Sequence, residues 1–293
     1  MIERCRVWIS ATRPRTLTAS VAPVAMGTAI AQGAGLFHAG GALAALGGAL
    51  GIQIACNFAN DYFDARQGAD SPARLGPRRA VAAGMIRPRA MLTATVLVIL
   101  VLVVPAVVYL TQRGGWPFVA LGATSVILAF AYTGSRWSIA YLGLGDLFAL
   151  IFFGPVAVAA TCAAQASAWS WTPALAGVGV GFLASALIGV NNLRDEPTDR
   201  VVHKRTLAVR LGLRWARLAY CGCVIAAAAV ALALALWSQR WGSACAVIAC
   251  AALIPSMQRV MAGARGTALN RELAATAQAI LGYGALFAIG WVL

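Results

Sequence analysis

Asn57, Asn60, Asp61 and Asp64 stand at i, i+3, i+4 and i+7, so a helix presents all four on one face, with Gln53 one turn earlier. A second stretch, residues 191–199 (NNLRDEPTD), sets Asn191, Asp195 and Asp199 at four-residue steps until Pro197, which is expected to disturb the helix. Both stretches offer only hard oxygen donors, and both begin inside the end of a long apolar run. Asp and Asn at helix ends commonly serve as caps. A carboxylate within a membrane, however, costs about 2.5–3.5 kcal/mol at a helix centre on insertion scales, so such residues usually face a cavity and act there. Two motifs of one chemistry on separate helices favour that second reading. Four or five converging carboxylates repel one another unless cations fill the site. Hard oxygen donors point to Mg²⁺, which keeps several waters and is typically held by a few carboxylates together with substrate phosphates.

Basic residues follow each motif: Arg74, Arg78 and Arg79 after the first, Arg200, Lys204, Arg205 and Arg210 after the second. Taken singly, each reads as an ordinary positive-inside anchor. Their position directly behind two oxygen-ligand stripes suggests phosphate, whose oxygens match the planar fork of Arg. Acids for a metal and bases for phosphate together imply a diphosphate ester.

The elements that must position these groups are membrane helices. Of 293 residues, 61% are hydrophobic and only 11% charged, far below the near-quarter charged share of soluble domains, and the mean hydropathy is +0.79. Apolar runs of about 20 residues, the length that spans the hydrocarbon core, recur along the chain. Nine spans are expected: 16–36, 39–59, 89–111, 116–134, 145–165, 172–192, 216–237, 241–262 and 272–292. The first fifteen residues, with Arg4, Arg6, Arg13, Pro14 and Arg15, read as an interfacial helix rather than a cleavable signal.

A net charge of +14 raises the question of nucleic acid, but the charges are sorted by loop, which excludes a soluble basic patch. Of the 23 Lys and Arg residues, only Arg113 and Arg240 follow spans 1, 3, 5 and 7. The other side, which also carries all nine acids, is expected to be cytoplasmic, with the N-terminus inside and the C-terminus outside. Seven cysteines without a CxxC pair read as packing residues, and two histidines are too few for a His-rich metal site. Gly177, Gly179 and Gly181 lie inside an apolar span with no strand before them, so they read as helix-packing positions rather than a dinucleotide loop.

The two aspartate motifs resemble those of the UbiA-type intramembrane prenyltransferases, and within that superfamily the details resemble the 1,4-dihydroxy-2-naphthoate polyprenyltransferase branch. The resemblance rests on residues 11–17 (ATRPRTL), 60–64 (NDYFD) with Gly68 and Asp70, 75–81 (LGPRRAV), 141–146 (YLGLGD), 152–157 (FFGPVA), 191–195 (NNLRD) and 204–212 (KRTLAVRLG). Gly68 stands where the wider superfamily has an acid, a substitution that resembles the naphthoate branch, and Asp146 stands where Glu is more usual. The resemblance implies one domain over 1–293: an all-α bundle of nine transmembrane helices around a central cavity, with a cytoplasmic cap and a lateral opening to lipid. It implies that Asp61, Asp64, Asp195 and Asp199 hold Mg²⁺ against a polyprenyl diphosphate, with Asn60, Asn192 and Asp70 assisting. Arg78, Arg79, Lys204 and Arg205 would help the diphosphate leave. The implied reaction joins the allylic cation to 1,4-dihydroxy-2-naphthoate, releasing CO₂ and yielding demethylmenaquinone after oxidation. Asp146 is then expected beside the aromatic acceptor, orienting a hydroxyl or taking its proton. The competing reading of Asp146 is a helix N-cap.

Two other functions fit parts of the sequence. A UbiA-type enzyme could instead act on 4-hydroxybenzoate, a tocopherol precursor or haem. A secondary transporter or cation carrier would also place acids in a membrane, but at the midplane, whereas these lie at one face beside basic loops.

Overall fold

The computed structural model describes residues 2–68, 75–76, 79–134 and 138–293. A short helix, α1 (Ile2–Ala11), lies ahead of α2 (Pro14–Gly33) and α3 (Ala39–Arg66). Then follow α4 (Pro88–Gly114), α5 (Pro117–Ala131), α6 (Gly145–Ala166) and α7 (Trp171–Val201). A five-residue helix, α8 (Leu207–Leu211), precedes α9 (Leu213–Ser238), α10 (Trp241–Met261) and α11 (Gly266–Val292). No strand occurs among the described residues.

Among the described residues, seven helices are long and apolar enough to cross a membrane, namely α3, α4, α6, α7, α9, α10 and α11. The chain is therefore a multi-pass membrane protein. The two remaining expected spans correspond to α2 and α5. The α2 helix has 20 residues but carries Arg15, Thr16, Thr18, Ser20, Thr28 and Gln32, and α5 has 15 residues. At 1.5 Å per residue, α5 falls short of a roughly 30 Å hydrocarbon core.

The bundle closes because its first and last long helices pack together. The Cα of Gly284 on α11 lies so near Ala22 on α2 that a Cβ there would stand 2.8 Å from the alanine methyl. The main apolar core joins α2, α7, α9, α10 and α11 through residues such as Met26, Leu183, Tyr220 and Phe287, all essentially buried. At the other side α1 rests on α3, with Trp8 edge-on to Phe58 at 5.7 Å between ring centroids.

The glycines of α7 act in packing, as expected. A π-turn at Phe152–Val156, with Pro155 inside it, opens α6 towards α7. Gly154 and Gly177 then bring the two backbones together, since a Cβ on Gly177 would meet the backbone of Gly154 and lie 2.7 Å from the nitrogen of Pro155. Pro197, expected to disturb α7, does not end it: the helix continues to Val201. The Thr198 hydroxyl donates to the Asp195 carbonyl at 2.8 Å in this last section.

Candidate active site

The acidic ends of α3 and α7 meet at one cavity of about 750 Å³. Asn57, Asn60, Asp61 and Asp64 are buried on α3, and Asn192, Asp195 and Asp199 on α7, and all seven line it. The period of each helix accounts for this: a stripe at three- and four-residue steps turns one face to one space. Away from the acids the cavity becomes apolar, lined by Leu128, Phe148, Phe152, Phe153, Leu187 and Ile188. Phe148 and Phe152 are stacked with centroids 5.9 Å apart. Both motifs lie in the last turns of their helices, so the acids gather at one end of the bundle rather than at its middle. That placement disfavours the transporter reading.

Each motif carboxylate has a compensating partner, as burial requires. Arg79 donates to Asp64 Oδ2 at 3.2 Å. Arg194 forms a fork on Asp195, with Nε donating to Oδ1 at 2.8 Å and Nη2 to Oδ2 at 2.7 Å. Lys204 Nζ stands 3.8 Å from Asp199 Oδ1. Asp61, expected as a metal ligand, accepts the backbone N–H groups of Ala80 and Val81 at 3.0 and 3.1 Å. Its carboxylate thus fastens the chain beside Arg79 over the cavity.

The amides divide into fasteners and neighbours of the acids. Asn57 donates to the Thr12 carbonyl at 2.9 Å and to Thr16 Oγ1 at 3.1 Å, tying α3 to the α1–α2 junction. Asn60 accepts from the Thr133 hydroxyl at 2.7 Å, which links α3 to the end of α5. Asn192 Nδ2 donates to Asp146 Oδ2 at 3.3 Å across the cavity. Asp146 is not the cap of α6: Leu144 holds that position, without a side-chain capping bond.

Other expectations fare differently. Arg205 is exposed and does not line the cavity, although Lys204 and Thr206 do. The backbone of Arg205 is held against residues 141–143, with its N–H donating to the Tyr141 carbonyl at 3.0 Å, and this turns its side chain outward. Asp70, Arg74 and Arg78 lie outside the described residues. Among the described residues no three His, Cys, Asp or Glu side chains converge as a metal cluster. The four carboxylates expected from the sequence stand on two helices and face a shared space, Asp61 and Asp64 on α3 and Asp195 and Asp199 on α7. That donor set still fits a hard divalent cation. Asp64, Asp195 and Asp199 present oxygens from two sides, and Mg²⁺ commonly completes such a set with water and substrate phosphate.

Arg194, Tyr132 and Arg13 are among the cavity residues to which the sequence reading assigned no role. Arg194 is buried and, besides Asp195, donates to Asn191 Oδ1 at 2.7 Å and Asn270 Oδ1 at 2.9 Å, so it joins α7 to α11. Tyr132 lines the cavity with its hydroxyl beside Gly145, next to Asp146. Arg13 lines it from the α1–α2 junction with a left-handed backbone, φ 53°. The available signals were an Arg within a buried motif and an Arg-Pro pair at the edge of an apolar run.

An all-helical multi-pass membrane protein with an acid-lined, partly apolar chamber at one end of its bundle is the class that this fold and site define. The chain belongs to the UbiA prenyltransferase family, whose profile matches residues 20–292. It is 35% identical over 301 aligned residues to a 1,4-dihydroxy-2-naphthoate octaprenyltransferase of Escherichia coli (strain K12), covering 99% of this chain and 96% of that protein. The protein of the same name from Mycobacterium leprae (strain TN) is 37% identical, over 94% of this chain and 92% of its own length. Among solved structures, a UbiA homologue from Archaeoglobus fulgidus bound to GPP and Mg²⁺ superimposes with a TM-score of 0.64 at 13% identity, over 96% of this chain and 99% of that one. At such identity the likeness establishes the fold alone.

Proposed function

We propose that this chain is a Mg²⁺-dependent enzyme that transfers a polyprenyl group from its diphosphate to 1,4-dihydroxy-2-naphthoate. The observation that carries the reading is the single cavity whose acidic, Arg- and Lys-flanked end passes into an apolar chamber. Relatives named 1,4-dihydroxy-2-naphthoate octaprenyltransferase, matched over nearly the whole chain, support the acceptor. The same reading takes residues 1–293 as one catalytic domain, with nine spans, a cap over the acidic end and a lateral opening for the prenyl tail.

Asp64, Asp195 and Asp199 are the residues that would hold the metal, with Asn60, Asn192 and Asp70 near it. Mg²⁺ bound there supplies charge neutralisation of the departing diphosphate. Arg79 and Lys204 add fixed positive charge at the same end, and the proposal gives Arg78 the same task. Asp61 acts by holding residues 79–81 in place. In the reaction the allylic C–O bond breaks with its electron pair leaving on diphosphate. The ring carbon that bears the carboxyl group attacks the allylic carbon, and CO₂ leaves as the ring regains aromaticity. Phe148, Phe152 and Phe153 keep water from the cationic carbon. A separate oxidation of the quinol gives demethylmenaquinone.

Purified protein with polyprenyl diphosphate and Mg²⁺ should convert 1,4-dihydroxy-2-naphthoate with stoichiometric CO₂ release, stop with EDTA and resume with excess Mg²⁺. Faster turnover of 4-hydroxybenzoate would overturn the acceptor, and undiminished turnover in EDTA would overturn the metal.

Asp146 is assigned to the acceptor side of the cavity, between Asn192 and Tyr132. Asn at this position keeps an oxygen that accepts from Asn192 but loses the base. Asp146→Asn should lower kcat by about 10²-fold or more, a usual contribution of general acid–base catalysis, with KM for prenyl diphosphate unchanged. Wild-type kcat and acceptor KM would remove Asp146 from the chemistry.

The bias of Lys and Arg places the motif-bearing end in the cytoplasm, in the cytoplasmic membrane, with the N-terminus inside. A cysteine introduced between residues 66 and 87 should resist an impermeant thiol reagent added to intact cells. Its labelling from outside would reverse the orientation.

A further inference from the structure

At the acidic end of the cavity three cations meet three carboxylates, and the pairs are not equally tight. Charge-assisted N–H···O bonds commonly measure about 2.7–2.9 Å. Arg194 meets Asp195 within that range, at 2.8 and 2.7 Å. Its guanidinium is also locked from other sides: it donates to Asn191 and Asn270, and a Cβ on Gly76 would stand 2.8 Å from its Nη2. The other two pairs are longer. Arg79 Nη2 stands 3.2 Å from Asp64 Oδ2, and Lys204 Nζ stands 3.8 Å from Asp199 Oδ1. Both of these cations line the cavity, as do both carboxylates. The backbone that carries Arg79 is pinned independently of its side chain. Asp61 accepts the N–H groups of Ala80 and Val81, and the Leu75 carbonyl accepts from Asn270 at 3.4 Å. The guanidinium can therefore change partner while the chain on either side of it stays in place.

We propose that Arg79 and Lys204 are exchangeable counter-ions, which neutralise Asp64 and Asp199 and turn from them to phosphate when a divalent cation takes the carboxylate oxygens. This rests on the reading of the cavity as a site for Mg²⁺ and a prenyl diphosphate. A guanidinium or ammonium left beside a doubly charged ion is repelled, and in a site shielded from water that repulsion is poorly screened. For the metal alone, Arg79 and Lys204 must give up their carboxylates with no acceptor to receive them. For diphosphate alone, they can turn to it only by leaving Asp64 and Asp199 exposed to its negative charge. With both ligands every charge is paired: carboxylate with metal, metal with phosphate, phosphate with Arg79 and Lys204. Metal and diphosphate therefore bind in mutual dependence, each raising the affinity for the other by the same factor. Arg194, held on three sides, takes no part in the exchange and keeps Asp195 oriented.

The test uses the full chain purified in a neutral detergent, with Mn²⁺ as the metal probe, followed by electron paramagnetic resonance, and farnesyl thiolodiphosphate as an unreactive diphosphate ester. In the wild type, Mg²⁺ alone and the ester alone should each raise the melting temperature little, and the two together strongly. Removing a competing cation should act on the two ligands in opposite directions. Arg79→Gln should bind Mn²⁺ alone about tenfold more tightly, a usual size of coupling between two sites. It should bind the ester in the presence of Mg²⁺ about tenfold more weakly, the loss of one charged hydrogen bond. Lys204→Gln, at a more exposed position, should shift both affinities in the same directions and serves should the first variant fold poorly. Cations that only bind phosphate would leave Mn²⁺ affinity unchanged in the variants, and cations that only support the fold would lower both affinities together; either result in folded protein overturns the exchange while leaving the proposed function intact. Stabilisation of the wild type by Mg²⁺ alone as large as by the pair would overturn it too. A wild type that binds neither ligand, even with both present, would overturn the proposed function and the exchange with it.

Discussion

Asp64→Ala and Asp195→Ala are each expected to reduce prenyl transfer by on the order of 10³-fold, the scale of losing a group that stabilises developing charge in a shielded site. The two residues sit on different helices and face one cavity, and each is held by its own Arg, Arg79 or Arg194. If they position the metal that meets the departing diphosphate, neither can replace the other. Truncation also leaves a buried Arg without its carboxylate, so loss of activity must be separated from loss of structure. Asp64→Asn and Asp195→Asn preserve shape and an acceptor oxygen while removing the charge. They should therefore be inserted and melt above the alanine variants, though below the wild type because Arg79 or Arg194 loses a compensating charge, and remain inactive when compared per amount of folded protein. Turnover measured per amount of folded protein decides the matter: substantial activity in any of the four variants would remove that carboxylate from metal binding.

The acidic stripes were legible because their signal is local. Residues 57, 60, 61 and 64 share a face in any helix, and an apolar run of this length in a charge-poor chain is a helix in a bilayer. What each residue does on that face depends on partners distant in sequence. Asp61 and Asp64 look alike as letters, yet Asp61 holds the backbone at Ala80 and Val81 while Asp64 meets the Arg79 side chain. Asn57 reads as a ligand but ties down Thr12, 45 positions away. Arg205 and Lys204 are adjacent, and only the turn at residues 141–143 decides that one faces the cavity and the other the outside. Pro197 misled in the opposite direction. The rule that proline breaks helices describes a cost, and a helix end held by packing and by a network of charged hydrogen bonds carried that cost through to Val201.

Arg194 shows most clearly what the linear pattern concealed, since between Leu193 and the motif acid Asp195 it reads as one more basic residue. Its guanidinium is almost completely buried and bonds Asn191, Asp195 and Asn270, so it both shields the motif carboxylate and joins α7 to α11. Arg194→Leu is expected to destabilise the protein by about 3–5 kcal/mol, because removing one member of a buried pair leaves the other charge uncompensated. The melting temperature in detergent should fall markedly and activity should fall with it. Arg194→Lys should recover little of either, for an ammonium cannot form the fork that spans both oxygens of Asp195. The double variant Arg194→Leu with Asp195→Leu separates the two roles. Replacing a buried ion pair with apolar groups is often neutral or stabilising, so melting should return towards the wild type. Activity should stay absent, because the carboxylate assigned to the metal has gone. A single Arg194→Leu variant that melts with the wild type would show the network to be incidental, and an active double variant would place the metal elsewhere.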